Sequence, residues 1–246
     1  LSIKWQKLLE KAPVQPLENE IFKIVESQEQ AATSTLVDHL GDLETLNQLI
    51  DNTKPKVEVL KKQPHYLILT PFRYPPLLHG SRFGKKTEPS LFYGSHNRET
   101  VLAEAAYYRF LFWSGMTRPP EHAYITQHSI FSVNYSIQKG VQLQSEPFCD
   151  MRKVLTHSSS YQETQTLGSK MRGANIEGFE FISARDESAG INVALFSPAA
   201  FPPRQSQRLK SKQELMCETT GGDVVFSLEN GKRTVVFKPE QVKFTG

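Results

Sequence analysis

Glu104 sits in the run Val101-Leu102-Ala103-Glu104-Ala105-Ala106-Tyr107-Tyr108, where no cation occurs at helical spacing. On a helix its neighbours are Thr100, Tyr108 and Leu111, whereas Arg109 is five residues away and points elsewhere. A buried carboxylate must be hydrogen-bonded or charge-paired, because an apolar site left unanswered either costs free energy or neutralises it. Two readings follow: Glu104 belongs to a site completed from outside the helix, or it reaches water or a structural arginine such as Arg82. Eleven residues upstream lies Tyr93, in Ser90-Leu91-Phe92-Tyr93-Gly94, and eleven before that lies Arg82, in His79-Gly80-Ser81-Arg82-Phe83-Gly84. A guanidinium, a phenol and a carboxylate on successive elements are the components of a site for an anionic nucleotide.

Each of these residues has two readings. Arg82 lies between Gly80 and Gly84, whose backbone can bend closely around a ligand, and its planar fork suits a pyrophosphate. It can equally be a loop arginine satisfying carbonyls. Arg73, in Thr70-Pro71-Phe72-Arg73-Tyr74, offers a second cation after an apolar stretch. Tyr93 can stack on a flat ring while its hydroxyl finds a polar partner, or serve only the core.

Several chemistries are excluded or disfavoured. Gly80 to Lys86 reads GxxxGKK, without the spacing or the hydroxyl residue of a phosphate loop. No GxGxxG follows a strand, no HExxH occurs, and the seven histidines show no metal-ligand spacing, so no metal is expected. GxSxG is absent too, which disfavours an α/β-hydrolase. Cys149 and Cys217 stand far apart and read as free thiols of a reducing compartment.

The 246 residues are 38% hydrophobic, enough for one large domain or a domain with an appended subdomain. Lys and Arg number 29 against 26 Asp and Glu, a surplus too small to signal direct nucleic-acid binding. No apolar run approaches the roughly 18 residues of a membrane span, and the N-terminus lacks a signal-peptide layout. The expectation is a cytoplasmic protein that engages no membrane.

The elements that must position the candidate residues change character along the chain. Trp5-Leu8-Leu9 and Ile21-Ile24-Val25 recur at three and four, broken by Pro13 and Pro16, and Ser34 or Thr35 could cap a third helix through Leu36, Leu40, Leu43, Leu46 and Ile50. This predicts a helical N-terminal extension over 1–55, closed by the polar stretch 51–56, and a second unit over 56–246. Strands are expected at Tyr66–Leu69, Leu91–Tyr93, Ile130–Val133, Gly178–Ile182 and Asn192–Phe196, with helices around Glu104 and near Tyr161–Leu167. The basic, polar stretch 203–212 reads as a solvated loop. Asn230-Gly231 between two alternating apolar runs predicts a C-terminal hairpin. Strands and helices in this irregular order predict an α+β fold with a mixed sheet.

Taken in order, Gly80-Ser81-Arg82-Phe83-Gly84, Leu91-Phe92-Tyr93, Leu102-Ala103-Glu104, and Phe181-Ile182-Ser183-Ala184-Arg185 leading into Asn192-Val193-Ala194-Leu195-Phe196 resemble the RES domain. That family is named for its arginine, glutamate and serine, and supplies the toxin of bacterial Xre-RES toxin–antitoxin pairs. The resemblance covers about 67–201. Family members often carry Gly-Arg-aromatic-Asn where this chain has Ser81-Arg82-Phe83-Gly84, and the stretch from Lys85 to Pro89 is unusually charged.

The resemblance implies a fold similar to ADP-ribosyltransferases, a split mixed sheet with flanking helices and NAD in a cleft. It implies an enzyme that uses NAD as substrate, not as cofactor, and cleaves the nicotinamide–ribose bond, passing ADP-ribose to water or phosphate or in some cases to a protein. Carried over, Arg82 would bind the phosphates, Tyr93 pack on the nicotinamide end, Glu104 serve the ribose and Ser183 complete the pocket; Arg73 matches an earlier family arginine less closely. Ser183 would orient groups rather than attack, or be an ordinary strand-end serine. The implied partner is an Xre-family antitoxin. A non-catalytic nucleotide-binding module is the rival, and the N-terminal helices would brace the sheet, contact the antitoxin or build a homo-oligomer.

Overall fold

The computed structural model describes residues 3–27 and 64–244. It is an α+β protein whose mixed sheet is organised by one long strand, β3 (Tyr124–Gln142). β1 (Gln15–Glu26) runs antiparallel along one edge of β3, from Gln15 opposite Gly140 to Glu26 opposite His128. The other edge of β3 is divided. β6 (Ser211–Thr219) pairs with Tyr124–Ser132, and β4 (Gly178–Ile182) pairs in parallel with Gly140–Gln142.

Beyond β4 come β5 (Ile191–Leu195) and β2 (Phe92–Ser95), and β2 returns to β1 through Phe22 opposite Ser95, so these strands close a ring with β3. Beyond β6 the sheet continues through β7 (Val224–Leu228) and β8 (Arg233–Phe237). The sheet is therefore split, with β4, β5 and β2 following from one end of that edge of β3 and β6, β7 and β8 from the other end.

Helices cover both parts. α3 (Arg98–Ser114) begins where the Asn97 side chain accepts the Thr100 N–H at 2.8 Å, with Glu99 in its first turn. Its residues Leu102, Ala106 and Phe110, four apart, bury one stripe against Leu215, Cys217, Val224 and Phe226 of the β6–β7 part. On the other part, α5 (Gln162–Gly173) contributes Leu167 and Met171 to a core with Phe83, Phe179 and Phe181. α1 (Trp5–Lys11) closes that core, its buried Trp5 donating through Nε1 to Glu163 of α5 at 2.8 Å. α4 (Arg152–Leu155) is a single turn between β3 and α5.

The N-terminal helical reading holds for Trp5–Lys11 and fails for Gln15–Glu26, which is a strand of the sheet. The i, i+3, i+4 spacing of Ile21, Ile24 and Val25 belongs to a β-branched stretch, and pairing with β3 overrides the periodicity. Apolar residues here face both ways: Ile21 joins one core and Phe22 and Ile24 another. Tyr66–Leu69, expected as a strand, opens helix α2 (Tyr66–Arg73), where His65 Nδ1 accepts the Leu67 N–H at 3.3 Å. Four apolar residues in a row do not distinguish strand from helix. The expected third helix over 36–50 and the boundary at 55/56 lie outside the described residues. The remaining strands, the Glu104 and 162–173 helices and the C-terminal hairpin are present, with Ser211 and Lys212 already in β6. Among the described residues no helix is long and apolar enough to cross a membrane.

Two predictions come from this packing. Gly168 of α5 lies directly under the Phe83 backbone, and a Cβ there would stand 1.8 Å from its carbonyl oxygen. Gly168→Ala is expected to cost about 1–3 kcal/mol of stability in urea titration. His128 is buried on β3, and loss of water together with the Arg109 charge pushes its pKa down to about 4. The folded imidazole stays neutral down to that pH while the unfolded one protonates near 6.5, so stability present above pH 6.5 falls as the pH drops toward 4. The decline attributable to this residue is at most roughly 3 kcal/mol, and urea midpoints between pH 7 and 4.5 should fall less steeply for His128→Gln.

Candidate active site around Glu104

Glu104 lies half-buried on α3, between Ala103 and Ala105. Its Oε1 accepts two hydrogen bonds from the sheet, one from Ser183 Oγ at 2.6 Å and one from Asn192 Nδ2 at 2.7 Å. Ser183 follows the end of β4 and is only 1% exposed. Its oxygen accepts the N–H groups of Arg185 and Asp186, each at 3.1 Å, leaving the single hydroxyl proton for Glu104. Asn192 on β5 is oriented in the same manner, its Oδ1 accepting from Ser95 Oγ at 2.6 Å so that its amide nitrogen faces the carboxylate. One turn before Glu104, Thr100 donates to Asp186 at 2.6 Å and ties the loop after β4 to the start of α3. Oε2 of Glu104 accepts no hydrogen bond from the described residues.

Two arginines accompany the carboxylate. Arg185 is 1% exposed, with its guanidinium carbon 3.3 Å from the centre of the Tyr107 ring. Its Nη2 donates to the Ser158 carbonyl and lies 3.3 Å from the Tyr161 hydroxyl, while its buried Nη1 has no partner among the described residues. Arg82 stacks over Tyr161 at 4.7 Å and donates through Nη1 to the carbonyls of His157 at 2.8 Å and Leu155 at 3.3 Å. Tyr161 thus links the two guanidinium groups.

Tyr108, on α3 one turn after Glu104, is 55% exposed. Loss of water raises its pKa, Tyr161 and Glu104 add to the rise, and Arg82 and Arg185 oppose it. The phenol therefore remains a protonated donor at neutral pH, within electrostatic reach of both arginines and the carboxylate.

The Arg82 loop is built to hold its shape. Gly80 has φ +71, a conformation that side chains rarely adopt, and the Ser81 N–H bonds the Gly84 carbonyl at 2.8 Å. The Tyr93 hydroxyl meets Ser81 Oγ at 2.9 Å and accepts the Phe83 N–H at 3.2 Å. From α5, Thr164 donates to the Arg82 carbonyl and Gln165 to those of His79 and Ser81.

The sequence-predicted residues are thus placed unequally. Glu104 and Ser183 are in direct contact, and Arg82 joins them through Tyr161 and Arg185. Tyr93 spends its hydroxyl on the Arg82 loop, and its ring meets Phe181 edge-on at 6.4 Å. Burial first of all raises its pKa. Arg73 ends α2, half-buried, its Nε without a partner among the described residues, and makes no contact with the Glu104 cluster. A cavity of about 300 Å³ borders Gly80, Ser81, Gly84 and Tyr93, and one of about 140 Å³ lies by Leu155 and Phe181; neither includes Glu104.

Sequence reasoning assigned no role to Arg185, Asn192, Tyr161, Tyr107 or Tyr108. Asn192 carried a usable signal, a polar residue on the same strand face as Ala194 in an otherwise apolar run. Arg185 stood inside the quoted motif, but residue type alone does not separate a buried arginine from a surface one. Among the described residues no group of His, Cys, Asp and Glu could hold a metal. The arrangement offers a fixed carboxylate with one open oxygen, next to two cations suited to anionic oxygens.

A search of curated proteins finds no match. Among solved structures, a chain of the M. tuberculosis MbcT–MbcA toxin–antitoxin complex superposes with a TM-score of 0.51, at 7% identity, covering 88% of this chain and 92% of that one. At that identity the likeness is one of fold. The RES domain profile matches residues 57–215, a range that holds Arg82, Tyr93, Glu104, Ser183, Arg185 and Asn192, and the chain accordingly belongs to the RES domain family.

Proposed function

We propose that this protein is the toxin of a toxin–antitoxin pair, and that it consumes NAD by cleaving the bond between nicotinamide and ribose and transferring ADP-ribose to water or phosphate. The observation that carries this reading is the Glu104 carboxylate, held at one oxygen by Ser183 and Asn192 and left open at the other. Nicotinamide leaves a cationic pyridinium as a neutral molecule, so its departure needs no general acid. The positive charge that develops is on the ribose. A carboxylate that bonds a ribose hydroxyl or lies beside the reacting carbon stabilises that charge, as glycosidase carboxylates do by analogy.

Ser183 and Asn192 act as positioning residues in this scheme, because both donate to Glu104 Oε1. Arg82 and the unpartnered Nη1 of Arg185 supply donors for the pyrophosphate. The acceptor, water or phosphate, then attacks the sugar carbon that nicotinamide has left and gives up its proton to solvent. Family membership and the toxin–antitoxin structural neighbour support the toxin role and an antitoxin partner, here proposed to be of the Xre family. Tyr108, Leu111 and Phe112 form an exposed stripe along α3 next to Glu104, at 55%, 46% and 46% exposure, suited to a protein that covers the site.

Glu104→Gln is expected to keep the fold while nicotinamide release from NAD falls by about 100-fold or more, as chromatography of the products would show. Undiminished release from the pure variant contradicts the role. Ser183→Ala removes one of the two donors to the carboxylate, and kcat is expected to fall by about 10–100-fold with KM little changed. A change confined to KM would instead make Ser183 a binding group.

A further inference from the structure

Tyr108 stands one turn after Glu104 on α3, at the i, i+4 spacing that brings two side chains onto one face of a helix. Its ring meets that of Tyr107 nearly at right angles, with centres 5.4 Å apart, and Tyr107 in turn carries the Arg185 guanidinium at 3.3 Å. The side chain therefore adjoins the carboxylate along the helix and a cation across the Tyr107 ring.

The other tyrosines of this region already have their contacts. Tyr161 is covered by Arg82 at 4.7 Å, and its hydroxyl lies 3.3 Å from Arg185 Nη2. The Tyr93 hydroxyl is held by Ser81 and the Phe83 N–H. Tyr107 packs on Phe244 as well as on Arg185. Tyr108 differs: it is 55% exposed, and its hydroxyl makes no hydrogen bond to the described residues. Loss of water, helped by Tyr161 and Glu104, raises its pKa against the opposing pull of Arg82 and Arg185, so the proton stays on at neutral pH. A neutral phenol with an unused proton, near two guanidinium groups, is a donor for an anionic oxygen.

We propose that Tyr108 is a substrate-contacting residue of this site, its hydroxyl donating to the phosphate next to the nicotinamide-bearing ribose. That phosphate joins the part of the ligand assigned to Glu104 to the part assigned to Arg82 and Arg185, and Tyr108 stands beside both. The proposal rests on the NAD reading of the site, and binding of ADP-ribose separates the two, because this ligand keeps both phosphates and the ribose but has no nicotinamide to lose. Calorimetry of the full chain is expected to show ADP-ribose binding at least about tenfold more weakly to Tyr108→Phe than to the unmodified protein. AMP, which lacks the second phosphate, should lose less than about twofold. Unchanged affinity of Tyr108→Phe for ADP-ribose, an equal loss for AMP, or no ADP-ribose binding to the unmodified protein overturns the proposal. A tenfold loss in Tyr108→Phe without nicotinamide release by the unmodified protein keeps the contact and removes the reaction; release with unchanged ADP-ribose affinity removes the contact alone. A crystal structure of the unmodified protein with ADP-ribose decides the matter even where the variant does not fold: Tyr108 Oη is expected within hydrogen-bond distance of that phosphate, and a hydroxyl turned to solvent overturns the proposal.

Discussion

The hydrogen bond from Ser183 to Glu104 is the contact on which the candidate site depends. A serine hydroxyl has one proton, and two backbone N–H groups already point at its oxygen, so its direction is settled before any ligand arrives. Asn192 is constrained similarly by Ser95, which fixes which end of the amide meets the carboxylate. Glu104 is therefore aimed by groups on β5, β2 and the loop leaving β4, though it sits on α3 itself. Preorganisation of this sort lets a carboxylate act on developing charge without reorganising during the reaction.

That aiming requires the split sheet. α3 buries its apolar stripe on the β6–β7 part, while the donors to Glu104 come from the β4–β5 part. β3 is long enough to carry both parts on one edge, and the Thr100–Asp186 bond joins the start of α3 to the loop leaving β4. A second chain of contacts fixes the cations: Tyr93 and α5 hold the Arg82 loop, and Tyr161 joins Arg82 to Arg185.

Much of this was legible in the residues, for identifiable reasons. Glu104 stood out because no cation could reach it within its own helix, and its partners do come from the sheet. The strands at 92, 130, 178 and 191 were readable as apolar runs between turn signals, and the hairpin as Asn-Gly between alternating stretches. Gln15–Glu26 was misread because a β-branched stretch carries helical spacing by accident, and its pairing partner lies more than a hundred positions away. Tyr66–Arg73 was misread because a short apolar run is neutral between the two periods. Arg185 escaped because its importance comes from burial against Tyr107 and from a free nitrogen, which only tertiary structure reveals. Tyr93 and Arg73 are residue types that suit a nucleotide site, yet the Tyr93 hydroxyl bonds the Arg82 loop and Arg73 lies at the end of α2.

The central claim is that one ligand spans the open oxygen of Glu104 and the guanidinium groups of Arg82 and Arg185. A crystal structure of the Glu104→Gln protein soaked with NAD tests it most directly. The account predicts intact NAD with a ribose hydroxyl within hydrogen-bond distance of position 104 and its pyrophosphate on Arg82 and Arg185. NAD seated elsewhere on the protein, or absent at saturating concentration, would contradict it.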